Sequence, residues 1–182
     1  MTSPDSPHTQ SFYQVRFDWG IAGAEALAGS DAIVWVDELG TPQVPSVETD
    51  AVVVAGGIAN AAAVAEWMLA KQEERGDRFR IAVVAAGEHR PDGSLRFAVE
   101  DQLGAGAVID ALTAVGLDHC SPEAAAASAA YFGLRRATKH LLGATVTSRQ
   151  LGGVQIDLTP TTAVPVLIDF ADKRDKRQVG QE

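Results

Sequence analysis

Short apolar runs alternate along this chain with longer, alanine-rich stretches. Residues 32–36 (AIVWV), 51–55 (AVVVA), 81–86 (IAVVAA) and 164–168 (VPVLI) are rich in valine and isoleucine and lack polar alternation. Runs of that length and composition predict strands covered on both faces. Residues 12–17 (FYQVRF) alternate apolar with polar and predict an edge strand. Between the runs, residues 22–28, 58–75, 100–115 and 122–142 predict helices. In the third, Ala105, Val108, Leu112 and Val115 recur at helical spacing on one face. The fourth opens with Ser121 as an N-cap and Pro122 at the first helical position, and Gly143 predicts its end. Strand and helix in this alternation predict an α/β fold, a three-layer sandwich with a mostly parallel mixed sheet covered by helices. The expected organisation is one domain over residues 12–171, a flexible N-terminal tail over 1–11 and a charged tail over 172–182.

Composition narrows the function classes. The 182 residues suffice for one domain with a real core, and 46% of them are apolar. A net charge of −9 repels nucleic acid and anionic lipid, so neither is expected as a partner. An anionic ligand then needs a local positive site. The single cysteine, Cys120, rules out an intramolecular disulfide and a cysteine-based zinc cluster. Residues 1–11 lack the basic start and apolar run of a signal peptide, and no stretch approaches the ~20 apolar residues of a membrane span. The expectation is a cytoplasmic protein.

Ligands of open parallel sheets bind beyond the carboxyl ends of the strands. Asp37-Glu38 follows the first buried run, Gly56-Gly57 and then Asn60 the second, and Gly87-Glu88-His89-Arg90 the third. Parallel strands would bring these groups to one edge. Gly56-Gly57 lets a ligand approach the backbone near a helix N-terminus, or serves only as a tight turn. It is neither a P-loop nor G-x-G-x-x-G. Asp37, Glu38, Glu88, Glu100 and Asp101 are oxygen donors suited to a hard cation, although Glu100 and Asp101 equally suit a helix dipole. Gly104 and Gly106 cost a helix ~1 kcal/mol each against alanine, so they predict close approach by another element or a ligand. Arg96 and Arg149 are candidate phosphate forks. No G-x-S-x-G elbow is present.

These residues also carry a resemblance. Ala85-Ala86-Gly87-Glu88, a loop, and Glu100-Asp101-Gln102-Leu103-Gly104-Ala105-Gly106-Ala107 resemble the "AG" turn and "ED…GAG" signature of the 2-phosphosulfolactate phosphatase family. Gly56-Gly57-Ile58-Ala59-Asn60 with Ala63-Val64-Ala65 is similar to that family's glycine turn and N-x-x-A-V-A helix. Ser148-Arg149-Gln150-Leu151, Asp157-Leu158 and Val164-Pro165-Val166-Leu167 are similar to its C-terminal pattern. Two family segments lack a counterpart. Trp35-Val36-Asp37-Glu38-Leu39-Gly40-Thr41-Pro42 stands where the family has D-V-L-R-A-[ST]-T-T, so Asp37 matches but the arginine and threonines do not. The T-T-N-G-T turn has no room before Asp50.

The resemblance implies a magnesium-dependent phosphatase acting on a small phosphorylated metabolite. It implies Asp37, Glu100 and Asp101 as metal-binding and catalytic residues, with Gly56, Gly57, Asn60, Gly87, Glu88 and Arg149 around the substrate. The missing segments open the rival expectation of a non-catalytic descendant serving as a binding or assembly module. Loss of core elements would expose apolar surface and suggests a homo-oligomer.

Overall fold

A computed structural model of the protein describes residues 6–27, 29–40 and 45–169. Five strands form one mixed sheet: β1 (Val15–Trp19), β2 (Ala32–Val36), β3 (Val52–Gly56), β4 (Ile81–Ala85) and β7 (Val166–Ile168), in the order β1-β4-β2-β3-β7. The first four in that order run parallel, and β7 pairs antiparallel with β3. A two-stranded hairpin, β5 (Glu88–His89) with β6 (Leu95–Arg96), follows β4.

The runs without polar alternation behave as their composition requires. Every residue of β2 and β4 is buried. Their odd and even positions feed two cores, as the two-residue period of a strand dictates. Val34, Val36, Val54, Val83 and Ala85 face the larger core with α2 (Ala61–Arg75), α3 (Val99–Ala114) and α4 (Pro122–Leu134). Ile33, Trp35, Val53, Ala82 and Val84 face a smaller core closed by Ala24 of α1 (Gly20–Ala26), with Leu27, Val47 and Ala51. This is the expected α/β sandwich with a mixed, mostly parallel sheet. Among the described residues one outer layer is heavy and the other is thin.

Several sequence expectations change. The composition of residues 164–168 predicts cover on both faces, but β7 is an antiparallel edge strand and Val166 stays exposed. The helix predicted over 122–142 breaks after Leu134 and resumes as α5 (Thr138–Ala144), followed by α6 (Val146–Gln150). Gly143 lies inside α5 and caps nothing. The buried Thr138 hydroxyl donates to the carbonyls of Leu134 and Arg135, holding the turn, and Thr145 then leaves helical geometry (ψ 163°) and caps α6. Residues 58–60 form a separate 3-10 turn ahead of α2. Part of the supposed N-terminal tail is also packed. Thr9 is buried, and its carbonyl accepts from the buried Arg16 guanidinium. The segment 172–182 lies outside the described residues.

Candidate active site at the carboxyl edge of the sheet

Parallel pairing in register (Val36 opposite both Gly56 and Ala85) places Asp37-Glu38, Gly57 and Gly87-Glu88 at one edge of the sheet. The N-terminus of α3 points into that edge and supplies Glu100 and Asp101. Both lie in its first turn, and each is only 2% exposed. That is far deeper than a carboxylate needs to be to complement a helix dipole.

Asp101 braces two strand ends. Its Oδ1 accepts from the Glu38 backbone N–H at 2.8 Å and its Oδ2 from the Gly87 N–H at 2.8 Å. Burial pushes its carboxyl up to about 7, helped by the Asp37 and Glu100 charges and opposed by the two backbone hydrogen bonds. Glu38 lies in a cradle of missing side chains. A Cβ on Gly57 would meet Glu38 Oε2 at 2.6 Å, and one on Gly104 would meet it at 2.5 Å. Glu38 Oε2 accepts from the Ile58 N–H, and burial pushes this carboxyl too up to about 7, with the Asp37 charge adding to the effect. Gly104 therefore meets the predicted close approach with a carboxylate, and Gly106 meets it with α4, where a Cβ would collide with the Ala127 carbonyl oxygen.

Glu88 and Glu100 converge on one hydroxyl. Thr147, from α6, hydrogen-bonds to Glu88 Oε1 and to Glu100 Oε1, and accepts from Arg96 Nη2 at 2.8 Å. Arg96 also donates from Nε and Nη2 to Glu88 Oε2, at 2.9 and 2.6 Å. Burial alone would raise the Glu88 carboxyl, but Thr147 and Arg96 outweigh it and hold it below the ordinary range. Glu100 Oε2 is buried and has no hydrogen-bond partner among the described residues. Asp37 is half-buried and accepts from the Gly40 N–H; burial raises its carboxyl, and the Glu88 and Glu100 charges add to that. Five carboxylates thus influence one another here, and Arg96 is ion-paired with two of them.

The remaining expected residues divide. Asn60 folds back onto the glycine turn, its Oδ1 accepting from the Gly57 N–H and its amide donating to the Ala55 and Ala163 carbonyls. The Gly57, Ile58 and Gly87 N–H groups, natural donors to a substrate, are thereby already paired within the protein. Gly56 is a packing glycine, since a Cβ there would collide with Val34 Cγ1. Arg149 is exposed on α6, and its side chain makes no hydrogen bond with the described residues. Sequence reasoning misses Thr147; its one signal is its place beside Ser148, the first residue of the C-terminal pattern.

The family model for 2-phosphosulpholactate phosphatase matches residues 24–159, from α1 to just beyond α6. The chain belongs to the 2-phosphosulpholactate phosphatase family. The match takes in every carboxylate of the site, Arg96 and Thr147. No curated protein matches the chain.

Membership of a phosphatase family implies phosphoryl transfer, a chemistry that metal ions commonly assist. Among the described residues no three Asp, Glu, His or Cys side chains converge as a ligand set. Magnesium does not demand one, because it retains several waters and takes one or two carboxylates together with substrate phosphate. Asp37 and Glu100 belong to the donor class that such an ion takes. Both offer hard oxygen donors, and Glu100 Oε2, buried and without a hydrogen-bond partner among the described residues, is compatible with such a role.

Proposed function

We propose that this chain is a magnesium-dependent phosphatase of small phosphate monoesters, with Asp37 and Glu100 as metal ligands. The observation that carries this reading is the orphaned Glu100 Oε2 within a buried carboxylate cluster at the carboxyl edge of the sheet. When bound, the ion supplies positive charge to the phosphoryl oxygens and lowers the pKa of a bound water. Thr147 and Arg96 hold Glu100 Oε1, which fixes the carboxylate and leaves Oε2 as its free donor. Asp101 ties the ends of β2 and β4, keeping Asp37 and Glu88 in place rather than presenting an open ligand. Arg96 Nη1 forms no hydrogen bond with the described residues and is the donor available to a phosphate oxygen. Arg149 and the glycine turn around Gly56, Gly57 and Asn60 then border the substrate.

A second reading is the non-catalytic descendant. It is favoured by the internal pairing of the Gly57, Ile58 and Gly87 N–H groups, which leaves few donors for three phosphoryl oxygens. Phosphate release from 2-phosphosulfolactate and simple phosphate esters separates the two, measured with magnesium and then with chelator. Chelator-sensitive turnover that Glu100→Gln abolishes is the expected result. No turnover by folded protein overturns the phosphatase and leaves the scaffold.

A further inference from the structure

A second concavity lies away from the carboxylate cluster, beside the outer edge of β1. Its volume is about 520 Å³, and its walls include Gln10, Phe17, Asp18, Trp19, Gln102 and Glu123. That size suits a small organic molecule. The elements bring these residues together for simple reasons. Phe17 and Trp19 lie two apart on β1 and share a face, with ring centroids 5.8 Å apart. Asp18 between them points to the other face, and it reaches the cavity because β1 is the last strand of the sheet. Glu123 comes from the first turn of α4, and Gln102 from α3. Trp19 also packs against the exposed Phe97, the rings tilted by 59° with centroids 4.9 Å apart, which adds aromatic surface beside the cavity.

The polar groups in this wall are unequal. The Gln10 amide is fully engaged with the outer edge of β1, accepting from the Phe17 N–H and donating to the Phe17 carbonyl. Asp18 accepts from its neighbour's N–H through Oδ1 only, leaving Oδ2 without a partner among the described residues. The Glu123 carboxylate and the Gln102 amide make no side-chain hydrogen bond with the described residues. No lysine or arginine lines the cavity, and the one basic side chain in its wall is the exposed His8. Two carboxylates without an ion pair among the described residues, beside the half-buried Trp19 ring, favour a cation over an anion, and that ring, backed by the buried Phe17, adds an apolar surface for its body.

We infer that this cavity is a binding site for a small organic cation, an ammonium group on an apolar or aromatic body, held between Asp18 and Glu123 against Trp19. The inference is independent of phosphatase activity, because none of the carboxylates of the proposed metal site lines the cavity. Benzylamine and its neutral counterpart benzyl alcohol are suitable probes, titrated into the full chain in chelator. The Trp19 indole N–H resonance, identified by its loss in Trp19→Phe, provides the readout. Benzylamine should shift it saturably and bind about tenfold tighter than the alcohol. Glu123→Gln, an exposed position whose change does not threaten folding, should reduce that preference to about threefold or less. Asp18→Asn should do the same if it folds, and the Glu123 variant decides if it does not. Equal binding of the two probes, no saturable shift with benzylamine, or a preference that survives Glu123→Gln overturns the site.

Discussion

At the scale of single residues, Thr147 has the most consequential position among the groups surrounding the carboxylates. One hydroxyl faces Glu88, Glu100 and Arg96, and Glu100 is buried with its other oxygen bare. Thr147→Val keeps the shape and removes the hydrogen bonds. It should cost about 1–3 kcal/mol in urea unfolding, the usual penalty for stripping a partner from a buried polar group. It should also weaken magnesium binding measured by calorimetry, and Thr147→Ser should restore both. Unchanged magnesium affinity in the valine variant would refute the positioning role. Little of this is legible in the sequence. Glu100 and Asp101 read equally well as dipole partners at a helix start, because burial belongs to the tertiary structure. What hides them is the β5–β6 hairpin and α6, one a pair of two-residue strands and the other a five-residue helix, neither with a periodic signal.

At the scale of elements, the glycines of α3 separate cause from composition. Gly106 allows α4 to approach, and a Cβ there would strike the Ala127 carbonyl oxygen, which is backbone and cannot rotate away. Gly106→Ala should therefore destabilise by about 1–3 kcal/mol despite the better helix propensity of alanine. Gly133 lies in α4, and a Cβ added there would meet nothing within 4 Å. Gly133→Ala should stabilise by up to about 1 kcal/mol. Opposite shifts in the urea midpoint are the expected outcome, and shifts of the same sign would refute the packing assignment. The sequence points to close approach at Gly104 and Gly106 but not to what approaches. It also shows the buried strands plainly, since valine-rich runs without alternation have few other uses. The break after Leu134 leaves no such mark, because neither proline nor an αL glycine makes it; the Thr138 hydroxyl does. The outer edge of β1 is likewise closed by means that have no sequence signature: the Gln10 side chain at Phe17, and the His119 and Ser121 backbones at Val15.

At the scale of the whole molecule, the carboxylate cluster should govern how stability varies with pH. Glu38 is raised from 4.5 to about 7 and Asp101 from 3.8 to about 7, both chiefly by burial. In the folded protein these groups hold protons that the unfolded chain has already released. Between about pH 4.5 and pH 7 the native state therefore binds more protons, and stability falls as pH rises through that window. Glu88 and Asp31 have the opposite sign, since both are lowered in the folded state. Their contribution is lost only below the ordinary carboxylate range, so the two effects occupy separate windows. Urea unfolding in chelator should show a midpoint that declines from about pH 5 to about pH 8. Glu38→Gln tests the assignment with little disturbance, because a glutamine oxygen can still accept from the Ile58 N–H, the one hydrogen bond that the Glu38 side chain makes with the described residues. The variant should be close to wild type at about pH 5 and more stable than wild type at about pH 8, by on the order of a few kcal/mol. Asp101→Asn is a poorer probe, since its amide nitrogen could not accept the second of the two backbone N–H groups that Asp101 now satisfies. A flat wild-type profile over this window, or a Glu38→Gln variant with the wild-type slope, would mean that Glu38 ionises normally in the folded protein and that the edge of the sheet is wetter than its burial implies.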